Sequence, residues 1–144
     1  MGIFSGSKPR RSLGPPGDPG WARNPKGLFY KFAFFEPEKA GLTGVGGVYV
    51  IWHSGVKPRW VYVGQTDNLA GALDALLDND EVMDYNKHGG LYVTWSPIKP
   101  EFRDGVYKYL FEVMGPLVEN PARVDDAVEP IPVLVPGAKP GQAA

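Results

Sequence analysis

Residues 46–77, GGVYVIWHSGVKPRWVYVGQTDNLAGALDALL, constrain the fold more tightly than any other stretch of the chain. Two short runs, Gly47–His53 and Trp60–Gly64, are rich in β-branched and aromatic residues, lack proline and read as strands. The link between them contains Gly55 and Pro58 and is short, which calls for an antiparallel hairpin. Thr66 or Asp67 is placed to cap a following helix, offering a side-chain oxygen to a free N–H of the first turn. Leu69, Ala72, Leu73, Leu76 and Leu77 then give that helix one apolar face. Asp74, Asp78, Asp80, Glu81 and Asp84 crowd its outer face and its end, where acid opposes the helix dipole, so the helix should stop near Asn79.

Downstream, residues 80–90 form a loop or a short helix, and Leu91–Ser96 read as a third strand. Residues 101–114 give a second helix with Phe102, Val106, Tyr109, Leu110 and Val113 on one face. Gly105 weakens it, and Gly115-Pro116 stops it. The fold class is therefore α+β: a small three-stranded, largely antiparallel sheet flanked by helices, with irregular tails.

The organisation falls into four parts. Residues 1–27 are a basic Pro/Gly-rich arm, 28–43 an aromatic segment, 44–120 the α+β domain and 121–144 a Pro-rich tail. Within the tail, IPVLV (Ile131–Val135) suits a sheet edge, where proline is tolerated. The aromatic segment carries Phe29, Tyr30, Phe32, Phe34 and Phe35; its alternation is imperfect, leaving strand and short helix both open. Five aromatics in so short a stretch either cover one face of the domain or form a partner surface. With Trp21 in the arm, they are the candidate partner-binding residues.

Charge is divided along the chain. Residues 1–27 carry five cations against Asp18, a net +4, whereas residues 44–120 carry six cations against ten acids, a net −4. Arg10, Arg11, Arg23 and Lys26 are the candidate nucleic-acid contacts, since phosphate binding needs Lys and Arg. The acidic domain argues against a nucleic-acid partner. The chain has no cysteine, which removes disulfide frameworks, thiol catalysis and Cys-based zinc sites and fits a reducing cytoplasm. No apolar run reaches the roughly 20 residues of a membrane span, and the order of charge and apolar residues at the start differs from a secretory signal. His53 and His88 have no metal-ligating partner at a useful spacing.

Gly47-Val48-Tyr49, followed by Tyr62-Val63-Gly64-Gln65-Thr66-Asp67-Asn68-Leu69, resembles the paired motif of the GIY-YIG nuclease domain. Tyr109-Leu110-Phe111 and Pro116 with Asn120 stand like its later helix segment and closing Pro-Asn, the latter with one residue too many. The resemblance covers roughly residues 44–120. It implies phosphodiester hydrolysis: one Glu binding a divalent metal such as Mg, an Arg on the first helix stabilising developing charge, and the two Tyr assisting the nucleophile. A dianionic transition state needs such a cation and metal. In this chain the Arg position is Ala72 and the Glu position is Tyr107. Glu112 falls on the wrong helical face to replace the Glu, and Asp104 is a poor substitute one turn earlier.

The expectation is a catalytically inactive GIY-YIG-like domain with vestigial Tyr49, Tyr62 and Asn120, no metal site and no cofactor. It would serve as a protein-interaction or structural subunit, bound through the arm, the aromatic segment or the tail. Two alternatives stand beside it: a metal-dependent DNA endonuclease of weak or altered activity, and nucleic-acid binding through the basic arm alone.

Overall fold

A computed structural model describes residues 17–138. The elements run β1 (Tyr30–Lys31), β2 (Gly47–His53), β3 (Arg59–Thr66), α1 (Leu69–Leu77), α2 (Asp80–Met83), a 3₁₀ turn (Asp84–Lys87), β4 (Leu91–Pro97) and α3 (Pro100–Met114). The sheet has four strands, not three, in the order β1-β4-β2-β3, and every pair is antiparallel. The added strand is only two residues long, and its pairing of Tyr30 with Val93 and Lys31 with Tyr92 is long-range. That leaves no local periodicity to read. The class is α+β, and no helix among the described residues is long and apolar enough to cross a membrane.

The central strand β2 is covered on both faces. Tyr49 and Ile51 point to one side, where α1 supplies Leu69, Leu73 and Leu76, α2 supplies Val82, and the 32–42 segment supplies Phe32, Phe35 and Leu42. Val48 and Val50 point to the other, where α3 supplies Val106, Leu110 and Met114 and the tail supplies Val133. Alternation of side chains along a strand produces this division. One irregularity breaks it. The β2–β3 register pairs Ile51 with Tyr62 and Trp52 with Trp60, skipping Val61. This bulge sends Trp60 to the face opposite Tyr62, although the two are only two positions apart.

Helix α1 begins later than the capping residues suggested. Its cap is Asn68, which makes no side-chain capping bond. Thr66 Oγ1 accepts the Asn68 N–H, and Asn68 Oδ1 accepts the N–H of Gly44. The first-turn donors are met instead by the backbone: Leu69 N–H donates to Val45 O and Ala70 N–H to Leu42 O. The preceding loop thus does the work expected of a Thr or Asp oxygen. At the other end, Asn79 interrupts the helix as the acidic run predicts. Its side chain accepts the Val82 N–H and starts α2.

The described parts of both tails are irregular yet held in place. Thr94 Oγ1 donates to Ala22 O and Ser96 Oγ to Pro19 O, which satisfies two buried hydroxyls of β4. The IPVLV segment lies over α3 and the arm rather than along the sheet edge: Ile131 N–H donates to Gly105 O and Leu134 N–H to Gly17 O. The β3 edge is met by residues 117–120. Leu117 and Val118 donate to Trp60 O and Val61 O, and Asn120 Nδ2 donates to Val63 O.

Gly105 explains the tail's route. A Cβ there would lie 2.6 Å from the Ile131 side chain and 2.8 Å from Glu129 O. Gly105→Ala gains helix propensity of up to about 1 kcal/mol. It also overpacks a backbone contact, at about 1–3 kcal/mol. The expected outcome is net destabilisation in denaturant titration, with faster proteolysis within residues 121–138; an unchanged midpoint and cleavage pattern would show that the tail does not seat on α3.

Candidate functional site

The two motif tyrosines form a buried pair on the α1 side of the sheet. Tyr49 stands opposite Gly64, and Tyr62 opposite Ile51. The Tyr49 ring occupies the space a side chain at position 64 would need: a Cβ on Gly64 would meet its ring and hydroxyl at 2.3 Å. The glycine of Tyr-Val-Gly is therefore the seat of the tyrosine of Gly-Val-Tyr. The rings of Tyr49 and Tyr62 stack, with centroids 6.1 Å apart and planes 16° apart. Burial pushes the Tyr49 hydroxyl well above the ordinary phenol range, and the neighbouring Tyr62 and Tyr107 phenols add to this. Burial likewise raises Tyr62, while its hydrogen bond with Tyr49 works in the opposite sense.

Tyr107 comes from α3, which packs on the opposite face of the sheet, and its ring meets Phe111. Burial and then the Tyr62 phenol raise its pKa, and Arg123 opposes them. Asn120 is buried at the β3 edge, donating to Val63 O and accepting the Ala122 N–H. Tyr107, Asn120, Arg123, Glu112 and Asp126 border a shallow cleft of about 180 Å³. The structure thus stacks Tyr49 with Tyr62 on one face of the sheet and sets Tyr107 beside Asn120 on a cleft that the first two do not line. Ala72 packs against the α1-side core. Asp104 accepts from Gln65 Nε2. Two features were missed from sequence. Arg123 comes from the Pro-rich tail, whose path depends on Gly105. Glu112, which helical phase placed away from Tyr107, borders the same cleft because residues 120–126 fold back beside α3.

A magnesium ion prefers carboxylate oxygens and octahedral geometry. The donor set here does not suit it: Tyr107 is a phenol held protonated by burial, and Glu112 and Asp126 are exposed at the rim. Among the described residues, no three His, Cys, Asp or Glu side chains converge on one point.

The other candidates separate into groups. Phe32 and Phe35 are core residues, with 0% and 9% of their surface exposed, as the first of the two readings of the aromatic segment, cover for one face of the domain, requires. Trp21 anchors the chain's own tail, its indole N–H donating to Leu134 O at 2.7 Å. Tyr30 stacks on Trp95. Phe29 meets Trp52 edge-on, and Phe34 is 93% exposed. Arg23 and Lys26 are exposed, while Arg10 and Arg11 lie outside the described residues. The two histidines, distant in sequence, are neighbours with ring centroids 5.3 Å apart, because β2 ends beside the 84–88 turn.

No protein-family model matches the chain, and no significant match emerges among curated proteins or solved structures.

Gly64→Ala should lower stability by about 1–3 kcal/mol through overpacking against Tyr49; a denaturant midpoint unchanged from the parent would sink the ring-on-glycine geometry. His53 gives a pH dependence. Burial, His88 and Arg59, in that order of effect, depress its pKa below 6.5. Its Nδ1 accepts the Gly55 N–H. The unfolded chain thus binds the proton more readily. The stability held by neutral His53 is complete above the unfolded value and is lost as pH falls from there through the lower folded value. Unfolding midpoints followed from roughly pH 7 to 5 should fall more steeply for the parent than for His53→Gln.

Proposed function

We propose that this chain is a non-hydrolytic, GIY-YIG-like module that acts by binding, as a protein-interaction or structural subunit in a reducing, cytoplasmic setting. One observation carries the reading. The tyrosines that would act on a nucleophile are stacked on each other and held protonated by burial, with Tyr107 where the resemblance calls for a metal-binding Glu. A buried phenol of raised pKa neither binds a hard cation well nor serves as a base near neutrality. Ala72 offers no charge to a phosphoryl transition state. The exposed Leu28, Phe34 and Val56 are apolar side chains available to a protein partner.

A second reading, a nuclease of altered activity, draws on Arg123 and Glu112 at the rim of the cleft beside Tyr107 and Asn120. The two part in a cleavage assay with supercoiled plasmid and magnesium or manganese. The first expects no cleavage above background, with Tyr62→Phe changing stability alone. Metal-dependent cleavage abolished by Tyr62→Phe and by Glu112→Gln would overturn it in favour of the second.

A further inference from the structure

The other face of the sheet carries a feature that the tyrosine site does not use. At the His53–Leu91 end, the register places Lys31 beside Tyr92, Tyr92 beside Trp52 and Trp52 beside Trp60. One row of side chains therefore crosses all four strands. Tyr92 and Trp52 stack, with centroids 6.0 Å apart and planes 19° apart. Trp60 and Phe29 meet Trp52 edge-on, at 5.7 and 4.9 Å. All four aromatics are half-buried, so part of each remains in solvent. Helix α3 covers Val48, Val50 and Val63 on this face, and residues 19–22 cover the hydroxyls of Thr94 and Ser96. Beyond that cover a cavity of about 520 Å³ opens over Trp52 and Tyr92, walled by Phe29, Arg23 and Lys31.

The charge around this cavity has one sign. Arg23 and Lys31 line it, and no Asp or Glu does. The Arg23 guanidinium lies 3.9 Å over the Phe29 ring and gives one bond to Gly27 O. A guanidinium has five N–H donors, so further donors remain for a ligand. Among the described residues neither Arg23 nor Lys31 is in an ion pair. The acids of α1 and α2 belong to the opposite layer, because those helices pack on the Tyr49 side. Glu101, Asp104 and Glu112 of α3 share this side of the sheet but do not border the cavity, so the charge at the cavity itself is positive.

We infer that this aromatic row with its two cations is a binding site for single-stranded nucleic acid, with bases stacking on Trp52 and Tyr92 and phosphates meeting Arg23 and Lys31. Stacking platforms flanked by cations bind single strands because every base offers a π-face and every linkage a charge. The volume lies in the range of sites for small organic ligands and suits one or two nucleotides. A proline-rich peptide would also find aromatic walls, but it gains nothing from paired cations, so the charge favours the nucleotide ligand. The inference is independent of the tyrosine site: plasmid cleavage would overturn the reading given there and leave this one standing.

The test is fluorescence anisotropy of the full chain with a fluorescein-labelled twelve-nucleotide oligothymidylate over a series of salt concentrations. Binding should weaken with salt. Tyr92→Leu and Trp52→Leu should each weaken it on the order of tenfold, whereas Tyr92→Phe should keep it. Lys31→Gln should reduce the log–log salt slope by about 0.7, the share of one single-strand phosphate contact. Circular dichroism shows whether the apolar variants fold; if Trp52→Leu does not, Lys31→Gln, an exposed change, and the indole N–H resonances still decide. Of the four indole signals, those of Trp52 and Trp60 should shift with oligonucleotide and that of Trp21 should not. The inference is overturned by absence of binding, by binding indifferent to all these substitutions, or by a proline-rich peptide shifting the same indoles when the oligonucleotide does not.

Discussion

The strand Gly47–His53 is hydrogen-bonded along both edges and buried on both faces, and most of the remaining structure follows from that position. A strand so placed must find apolar cover above and below, within a short chain. One face is covered economically, by a helix that starts three residues after the adjoining strand. The other has only α3, which spans part of it. The rest of that cover comes from the two irregular ends. Proline-rich chain suits the task because it has fewer N–H groups to satisfy, and its carbonyls remain as acceptors. Pro19 and Ala22 use theirs for the two buried hydroxyls of β4. Among the described residues no buried side-chain polar atom lacks a partner.

This also shows which parts of the molecule could be read in advance. The limits of β2 and α3 were legible because β-branched runs and helical apolar spacing are local signals. The strand at Tyr30–Lys31 was not, since it exists only through partners some sixty residues away. The aromatic segment divided by a rule that sequence alone could not weigh: Phe32 and Phe35 turn inward around a tight turn closed by Phe35 N–H to Phe32 O, while Phe34 faces solvent. For the tyrosine pair and the cleft beside Tyr107, the residues supplied by strands and α3 were foreseeable. Arg123 was not, because its place is set by a tail that crosses a helix at a glycine.

The segregation of charge by layer changes what the net charge means. Read along the chain, the domain is acidic and its arm basic. Read in space, the acids of α1 and α2 sit with the layer over the tyrosine pair, while Arg23 and Lys31 sit by the aromatic row. Interactions between exposed charges fade over a Debye length of about 8 Å at physiological salt. Opposite sides of a sheet with helices on it are farther apart than that, since a packed layer adds about 10 Å. The cavity beside the aromatic row therefore keeps a local positive sign, although Glu101, Asp104 and Glu112 of α3 lie on the same side of the sheet.

The skipped pairing at Val61 has a consequence for parity. In an uninterrupted strand, even-numbered positions share a side, so Trp60 and Tyr62 would compete for the same layer. One unpaired residue reverses the parity of everything before it. Tyr62 is thereby left to stack with Tyr49, and Trp60 is released to join Trp52 on the far side. A single inserted position lets eight consecutive residues serve two unrelated aromatic assemblies. Changes to one assembly need not disturb the other.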